Sequence, residues 1–355
     1  RLIPMTATSL VRVAAFTLLC ATARAARVPL RARLPRYFVR MGAAERSVSV
    51  SRGPGGLGIE VNSDNLIVSS TADGLSVGDV VTAVDDEPLA GRYVGKVLSP
   101  ESSEFTFTIS RDPAVSTPLL ERALLGLGTD LEQPAIEEIG AEERERVIGV
   151  VGALEEMAAG VAPVDVGAAV QGFWKLLLGS GLPSATGLSG MGGNAGCTFV
   201  AQWQGFSEAE PTAQVVEIIA DPLLGRHAVA ALKGSLDLQD APALSDDGER
   251  GGLALLSEHY TRLEVGGALA GNEGKSVSNL CTYVSDQLRI CRPEEADGEF
   301  SCFWRTTPEA AQMEIGTLSE APVGGAAARD EEDDMPRWAR RDWDDDGPEA
   351  LSDIP

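Results

Sequence analysis

The chain has 355 residues, of which 44% are hydrophobic and 5% aromatic, enough for at least one sizeable core. Residues 1–46 hold nine Arg, no Lys and one acidic residue, so the rest of the chain carries 20 basic against 52 acidic residues. This negative charge repels phosphate groups and excludes nucleic-acid binding and simple electrostatic attachment to anionic lipids.

The N-terminal segment predicts a targeting leader over 1–46. Arg12 precedes the short apolar run VAAFTLLCA, the small-residue site ATARA follows, and the next stretch is rich in Arg and free of acids. This order resembles a signal peptide joined to a transit peptide, as in algae whose plastids lie within the endomembrane system. A secretory signal with a basic pro-segment is the alternative. No other run reaches the ~18 apolar residues of a spanning helix, so we expect peripheral membrane contact only.

Residues 47–111 alternate short apolar runs with Gly, Pro and Asp clusters, which predicts a small β-rich domain. Within it, GGLGIEV followed by LSVGDVVTAVDDEPLAG resembles a PDZ domain. The resemblance implies that Leu57, Gly58 and Ile59 form the loop whose backbone N–H groups bind the terminal carboxylate of a peptide. The family's groove has a helix as its second wall, but here the segment GRYVGKVLS is short and contains a glycine. Peptide binding therefore stays open.

After residue 111 the pattern changes to helical periodicity, and helices are expected over 115–160. Thr117 and Pro118 are the expected N-cap and first residue of the first helix. A second apolar stripe begins at Ile136, and its internal glycines would weaken an isolated helix. We therefore expect these helices to pack on a neighbouring element.

Short apolar strands separated by Gly, Ser and acidic turns follow over 170–306. Seven or eight antiparallel strands of this length suit a closed barrel or a sandwich. In the strand CTFVAQW, the alternation predicts that Phe199, Ala201 and Trp203 share one face.

Two motifs in this region carry a family resemblance. The first is a helix ending in Leu154 and Glu155, followed by the strand residues Gly172, Phe173, Trp174, Lys175 and Leu176. The second consists of Thr282, Tyr283, Val284, Asp286, Leu288, Arg289, Ile290, Arg292, Gly298, Phe300 and Phe303. In this order they resemble the plastid lipid-associated protein (PAP) family, also called fibrillins. The resemblance covers about 119–306 and implies a domain over 112–306. The chain departs from the family at Ser285, Asp286 and Gln287, where three consecutive acids are usual.

The resemblance implies a fold class that is mainly β with helices: a small PDZ-like domain, then a lipocalin-like antiparallel barrel preceded by helices. In lipocalins a Trp on the first strand closes the barrel's base, and an Arg from the last strand lies across its ring. We therefore expect Trp174 to pack against Arg289 or Arg292, with Gly172 in the same barrel-closing group. The alternative is that both arginines face solvent.

The resemblance also implies a non-catalytic role, with carotenoids, prenylquinones or acyl lipids as partners at thylakoids or plastoglobules. A barrel of about eight strands has room for one small ligand. Phe199, Trp203, Leu236 and Val284 are the predicted inward pocket residues, and each is otherwise simple core.

The search for catalytic motifs is negative. GLSGM at 187–191 lacks the last glycine of G-x-S-x-G, and the glycines at 190 and 192 lead into a strand where a dinucleotide fingerprint requires a helix. They are expected to form a mobile loop at the barrel mouth. His227 and His259 have no partner that spacing identifies, so neither a metal nor a cofactor is predicted. An adaptor that binds protein C-termini, with the barrel as scaffold, and an enzyme acting inside the barrel remain alternatives.

Cysteines outside the leader form no C-x-x-C pair. Four buried free thiols are expected, although the spacing of ten and eleven residues across adjacent strands would also let two of them bridge. They are Cys197, Cys281, Cys291 and Cys302.

The segment 307–355 loses the strand pattern, and its last 26 residues are strongly acidic. It is predicted to be a disordered, solvated tail. The alternative is a docking peptide built on Trp338 and Trp343.

Overall fold

A computed structural model describes residues 45–129, 134–159, 165–181, 187–192, 196–207, 212–223, 225–240, 253–271, 274–294, 298–321 and Val323. The described residues belong to one compact unit. The leader residues 1–44 and the acidic segment 324–355, with Trp338 and Trp343, lie outside the described residues. The predictions made for them are therefore not addressed by the structure.

The described elements alternate a small β unit, a helical layer and a large β unit. The helices are α1 (Pro113–Thr129), α2 (Ala141–Ala159), α3 (Val166–Val170) and α4 (Pro308–Glu320), with 3-10 turns at Val94–Lys96 and Ile136–Glu138. The first six strands are β1 (Arg46–Ser51), β2 (Ile59–Val61), β3 (Ile67–Ser70), β4 (Val80–Val84), β5 (Glu87–Pro88) and β6 (Glu104–Ser110). The others are β7 (Gly172–Gly179), β8 (Thr198–Ser207), β9 (Thr212–Asp221), β10 (Arg226–Asp240), β11 (Ala254–Val265), β12 (Ala268–Gly271), β13 (Lys275–Val284), β14 (Leu288–Pro293) and β15 (Ser301–Thr306).

The small β unit combines a four-stranded sheet in the order β1-β6-β4-β5 with the hairpin β2-β3. Its core is apolar and includes Phe105, Phe107 and Ile109 of β6, which are at most 1% exposed. Alternation along EFTFTIS places these three side chains on one face. The segment expected to match a groove helix forms only the 3-10 turn Val94–Lys96.

Helix α1 begins at Pro113, so the prediction that it begins at Thr117–Pro118 is wrong. Asp112 supplies the cap, because its Oδ1 accepts a hydrogen bond of 2.9 Å from the N–H of Ala114. Proline follows the cap at the first helical position, where its missing N–H costs nothing. A capping side chain followed by proline therefore occurs about one turn earlier than predicted, and Pro118 lies inside the helix.

An eight-stranded antiparallel barrel, preceded by helices, forms the large β unit. Its strands follow chain order around the barrel, and β10 pairs with β11, which pairs with β13, which leads through β14 and β15 back to β7. The short β12 extends the end of β11. A bulge between Lys233 and Gly234 interrupts the β10–β11 register. A Cβ added at Gly234 would lie 1.8 Å from the carbonyl oxygen of His259, so only glycine fits this close approach of two strands.

One apolar cluster joins all three layers. It contains Leu66 and Val68 of the small β unit, Leu120 and Leu154 of the helices, and Ile290 on the outer face of the barrel. All five are at most 5% exposed. Burial of each such side chain stabilises the fold by roughly 1.5–3 kcal/mol. The helices that the sequence predicted to need a partner therefore have one on each side.

Part of the segment predicted as a disordered tail is ordered. Pro308–Glu320 forms α4, with the Thr307 side chain accepting a hydrogen bond of 3.1 Å from the N–H of Ala310. Ala311 and Ile315, one turn apart, are buried against the barrel. The loss of strand periodicity after residue 306 reflects a change from strand to helix. The prediction of a disordered tail is therefore wrong for these residues.

Bulges decide which strand residues point into the barrel. In β8 the register shifts between Phe199 and Ala201, so Phe199 lies in the interior cluster while Ala201 and Trp203 lie outside, under α4. The prediction that these three residues share one face is therefore wrong, since the extra residue at Val200 reverses the alternation.

Candidate ligand site inside the barrel

Trp174 lies at one end of the barrel interior and is fully buried. Its indole N–H donates a hydrogen bond of 2.7 Å to the carbonyl oxygen of Val170, at the end of α3. Two guanidinium groups lie over its ring, with carbon Cζ of Arg289 5.0 Å and that of Arg305 4.1 Å from the centroid. The contact predicted for Trp174 is thus made by Arg289, and the last strand adds a second cation. These groups, with α3, cover the base of the barrel.

Arg305 was not singled out from the sequence. Its guanidinium donates to the backbone carbonyls of Gln171, at 2.7 Å, and of Ala169. Burial lowers the pKa of Arg305. The available signal was its place on the last barrel strand, directly after the aromatic run, where a lipocalin-like barrel carries its stacking arginine.

Arg289 has an unusual environment for a charged side chain. It is fully buried, and besides Trp174 it lies 4.7 Å from the ring centroid of Phe206 and 4.5 Å from that of Phe303. Its Nη2 donates to Oε1 of Gln204. Its Nε and Nη1 have no hydrogen-bond partner in the part of the chain that the structure describes. The negative faces of these aromatic rings attract the guanidinium, and the rings bury its plane.

Arg292 lies elsewhere, on the side of the barrel facing the helices. It donates to both carboxylate oxygens of Glu155, at 2.7 and 2.8 Å, and Thr282 donates to the same carboxylate at 2.6 Å. The two separated sequence motifs therefore meet here, in a contact that fixes α2 to the barrel. Gly172 begins β7 with φ of 103° beside Arg305.

A buried carboxylate lies in the interior, on β11. Glu258 is 2% exposed and accepts hydrogen bonds from the hydroxyl of Tyr260 and, at 3.5 Å, from the amide of Asn279. Burial raises the pKa of Glu258, and the charge of Arg289 opposes that shift. The pKa of Tyr260 is also raised, by burial and by the neighbouring Glu258. Neither residue was predicted; the signal was their alternation with the exposed His259.

The interior also holds a cavity of about 70 Å³. A single water requires roughly 10–15 Å³, so the cavity has room for several small groups. Its wall mixes apolar and polar side chains, and the amides and the carboxylate come from strands β8, β11 and β13. It is lined by Leu176, Ser180, Leu188, Gln202, Gln204, Glu258, Val277, Asn279, Cys291, Pro293, Ser301 and Phe303.

The segment 187–192, here called the mouth loop, covers this cavity. Leu188 is 5% exposed and lines the cavity. The carboxylate of Glu217 accepts hydrogen bonds from the N–H groups of Leu188 and, at 3.0 Å, Ser189, while Lys275 donates to the Leu188 carbonyl. Burial raises the pKa of Glu217, and these hydrogen bonds oppose the shift. The glycine-rich segment is thus held down by a buried carboxylate.

The four predicted pocket residues do not line the cavity. Phe199 and Val284 are buried in the interior apolar cluster, and Leu236 is partly buried against it. Trp203 is on the outer face, as described above, so its assignment as an inward residue is wrong. The polar lining was not predicted, because the alternation that pointed Trp203 inward leaves Gln202 and Gln204 on the opposite face of β8.

The thiols and the histidines are side chains that can bind metals. Cys197, Cys281, Cys291 and Cys302 are free, and Cys281 and Cys291 are cross-strand partners. His227 Nδ1 lies 2.9 Å from the carbonyl oxygen of Ala321, and His259 Nδ1 lies 2.9 Å from the hydroxyl of Ser276. Within the described ranges, no group of three His, Cys, Asp or Glu residues could hold a metal ion.

In the small β unit, Gly58 has φ of 69°, a conformation that favours glycine, and its carbonyl accepts from the N–H of Thr71. Leu57 and Ile59 pack against the unit's apolar core. The hydroxyl of Tyr93, beside the 3-10 turn, donates to the carbonyl of Val61 at 3.2 Å. This contact occupies one acceptor on β2, next to the place where a peptide strand would have to add.

Among the described residues no helix is both long and apolar enough to span a membrane.

Comparison with known proteins does not assign the chain. No family model, curated protein or solved structure matches it.

Proposed function

We propose that this chain is a non-catalytic protein of the plastid lipid-associated type, whose barrel binds one small apolar lipid such as a carotenoid, a prenylquinone or an acyl lipid. The observation that carries the proposal is the closed barrel with an interior cavity, sealed at its base by Trp174 and covered at its mouth by a separate loop. The resemblance of two ordered motifs supports the lipid class. The leader-like sequence over 1–46 supports a plastid location, at thylakoids or plastoglobules.

The size of the cavity sets a condition on this function. Pockets that hold drug-sized molecules measure roughly 300–1,000 Å³, several times the present cavity of about 70 Å³. A lipid therefore enters only when the mouth loop moves and Leu188 leaves the interior. That movement would have to replace the hydrogen bonds that Glu217 and Lys275 make to the described part of the loop.

Lipid retention tests the proposal. The purified chain is incubated with a mixture of carotenoids, prenylquinones and acyl lipids, re-isolated and extracted, and the extract is identified by mass spectrometry. We expect about one lipid molecule per chain. Val277→Phe, which fills the cavity from β13, should abolish retention, whereas Leu269→Phe at a position that is 56% exposed should retain lipid normally. A protein that retains no lipid, or a Val277→Phe variant that retains as much as the unchanged chain, would refute the proposal.

A PDZ-like function of residues 47–111 is the second candidate: capture of protein C-termini, with the barrel as scaffold. The positive φ of Gly58 and the pairing of β2 with β3 alone among the described strands support it. The Tyr93–Val61 hydrogen bond and the 3-10 turn in place of a helix weigh against it. Titration with a peptide library ending in hydrophobic residues tests it, and Tyr93→Phe should increase the affinity of any peptide that adds to β2.

A further inference from the structure

We propose that the interior cavity recognises a hydroxyl group at the end of an apolar molecule, with Gln204 donating a hydrogen bond to its oxygen and Glu258 accepting one from it. This inference rests on the proposed binding of a lipid in the barrel and specifies the chemistry of its head.

The first step concerns the orientation of Gln204. An arginine side chain has only donors, so the group that faces Arg289 must be the amide oxygen of Gln204. The NH₂ group of the same amide is then directed away from Arg289. Gln204 lines the cavity and is 3% exposed. Arg289 acts here as a positioning residue that presents a fixed donor to the cavity.

The second step concerns Gln202, two residues earlier on the same face of β8. It too is 3% exposed and lines the cavity. Two amides that line one small cavity can each hydrogen-bond to a polar group placed in it, and polar groups removed from bulk water need such partners.

The third step is the choice of that group. Glu258 supplies an acceptor on the opposite side. Tyr260 donates to one of its oxygens and Asn279, at 3.5 Å, to the other, and each carboxylate oxygen can accept a second hydrogen bond. An added carboxylate would lie beside the buried carboxyl of Glu258, and two like charges in a buried site repel each other, so an anion is disfavoured. A neutral hydroxyl both accepts and donates, and it satisfies both walls. The apolar lining from Leu176, Leu188 and Val277 suits the first carbons of an attached chain.

Three probes that share an eight-carbon chain test the head group: 1-octanol, octyl methyl ether and octanoate, titrated calorimetrically into the full chain at pH 8. The alcohol should bind about tenfold more tightly than the ether, because the ether cannot donate to Glu258. The carboxylate should bind more weakly than the alcohol.

A variant tests the hydrogen-bond donor supplied by Gln204. Gln204→Leu should weaken 1-octanol and the ether by a similar factor of about ten, because both lose the donor. Gln239→Leu, at an exposed position, is the matched control and should change nothing. The probe series on the unchanged chain keeps the test valid if Gln204→Leu does not fold.

Each result has a definite meaning. Equal affinity of alcohol and ether, preference for octanoate, or a folded Gln204→Leu variant that binds 1-octanol normally would overturn the hydroxyl site while leaving lipid binding intact. Binding of none of the three probes would instead overturn the proposed function, and the hydroxyl site with it.

Discussion

The guanidinium of Arg292 and the carboxylate of Glu155 form a two-point contact between residues 137 positions apart, at 2.7 and 2.8 Å. Both side chains are 12–13% exposed, so water screens the pair little. Glu155 belongs to helix α2, which precedes the barrel. Arg292 belongs to β14, the last barrel strand but one. The contact explains why this strand keeps a second arginine: it holds the helical layer, whereas Arg289 fills the base.

Arg292→Ala should lower the free energy of unfolding by about 3 kcal/mol, because it leaves Glu155 nearly buried without its cation. Urea denaturation measures the change. A double-mutant cycle with Glu155→Ala should show that the two substitutions together cost clearly less than the sum of the single costs. Additive costs would mean that the pair is not coupled.

Arg305→Met should destabilise the protein by about 1–3 kcal/mol, because the carbonyls of Gln171 and Ala169 lose their donor and the ring of Trp174 loses a cation. Thermal unfolding followed by tryptophan fluorescence monitors both stability and the Trp174 environment. Arg226→Met, at an exposed position, serves as control and should shift the midpoint little. A variant as stable as the unchanged chain would show that the base of the barrel is closed without Arg305.

The sequence predicted the order of elements and the contact of Trp174 with an arginine, because both depend on local periodicity and on short motifs. It could not predict which residues line the interior. A single extra residue at Val200 moves Trp203 from the inside to the outside of β8, and no propensity distinguishes a bulged strand from a regular one. The part of the cavity wall that β8 supplies is Gln202 and Gln204, which simple alternation assigns to the outer face.

The choice between Arg289 and Arg292 was undetermined for a similar reason. They are three residues apart, and β-strand alternation puts such residues on opposite faces without saying which face is inner. The pairing partners settle it, because Phe303, the partner of Arg289, points into the barrel. That information is tertiary and lies outside the local sequence.

Gly234→Ala should destabilise the barrel by about 3 kcal/mol or more, since the new Cβ would overlap the backbone of β11. Gly152→Ala is a matched substitution in α2, where a Cβ would contact nothing within 4 Å. It should stabilise the protein by roughly 0.5–1 kcal/mol, because alanine has the higher helix propensity. Chemical denaturation of both variants gives the comparison. Equal effects would contradict the close approach of β10 and β11.

Because Glu258 is buried, we expect the stability of the protein to depend on pH in a defined direction. Burial raises the pKa of this carboxyl above its ordinary value of 4.5, so the folded protein holds the proton more tightly than the unfolded chain does. The stability that this more tightly held proton contributes is fully present below about pH 4.5 and is lost as the pH rises through the folded-state pKa. Glu258→Gln should therefore gain stability relative to the unchanged chain as the pH is raised from about 4.5 to 8.

Denaturation midpoints of the two proteins across this pH range measure the effect. Glu101→Gln, at an exposed position, is the control, and its difference from the unchanged chain should stay constant. A constant difference for Glu258→Gln as well would contradict a raised pKa of Glu258 in the folded protein.

Helix α4 supplies the last prediction, because it covers the outward-facing Trp203 with two side chains one turn apart. Ile315 is 6% exposed, whereas Met313 on the same helix is 71% exposed. Ile315→Ala should cost about 2–4 kcal/mol and shift tryptophan emission to longer wavelength, since it uncovers an apolar ring. Met313→Ala should leave both stability and emission unchanged within about 0.5 kcal/mol. If the two substitutions behave alike, α4 does not pack on the barrel, and residues 308–320 belong to the tail as the sequence first indicated.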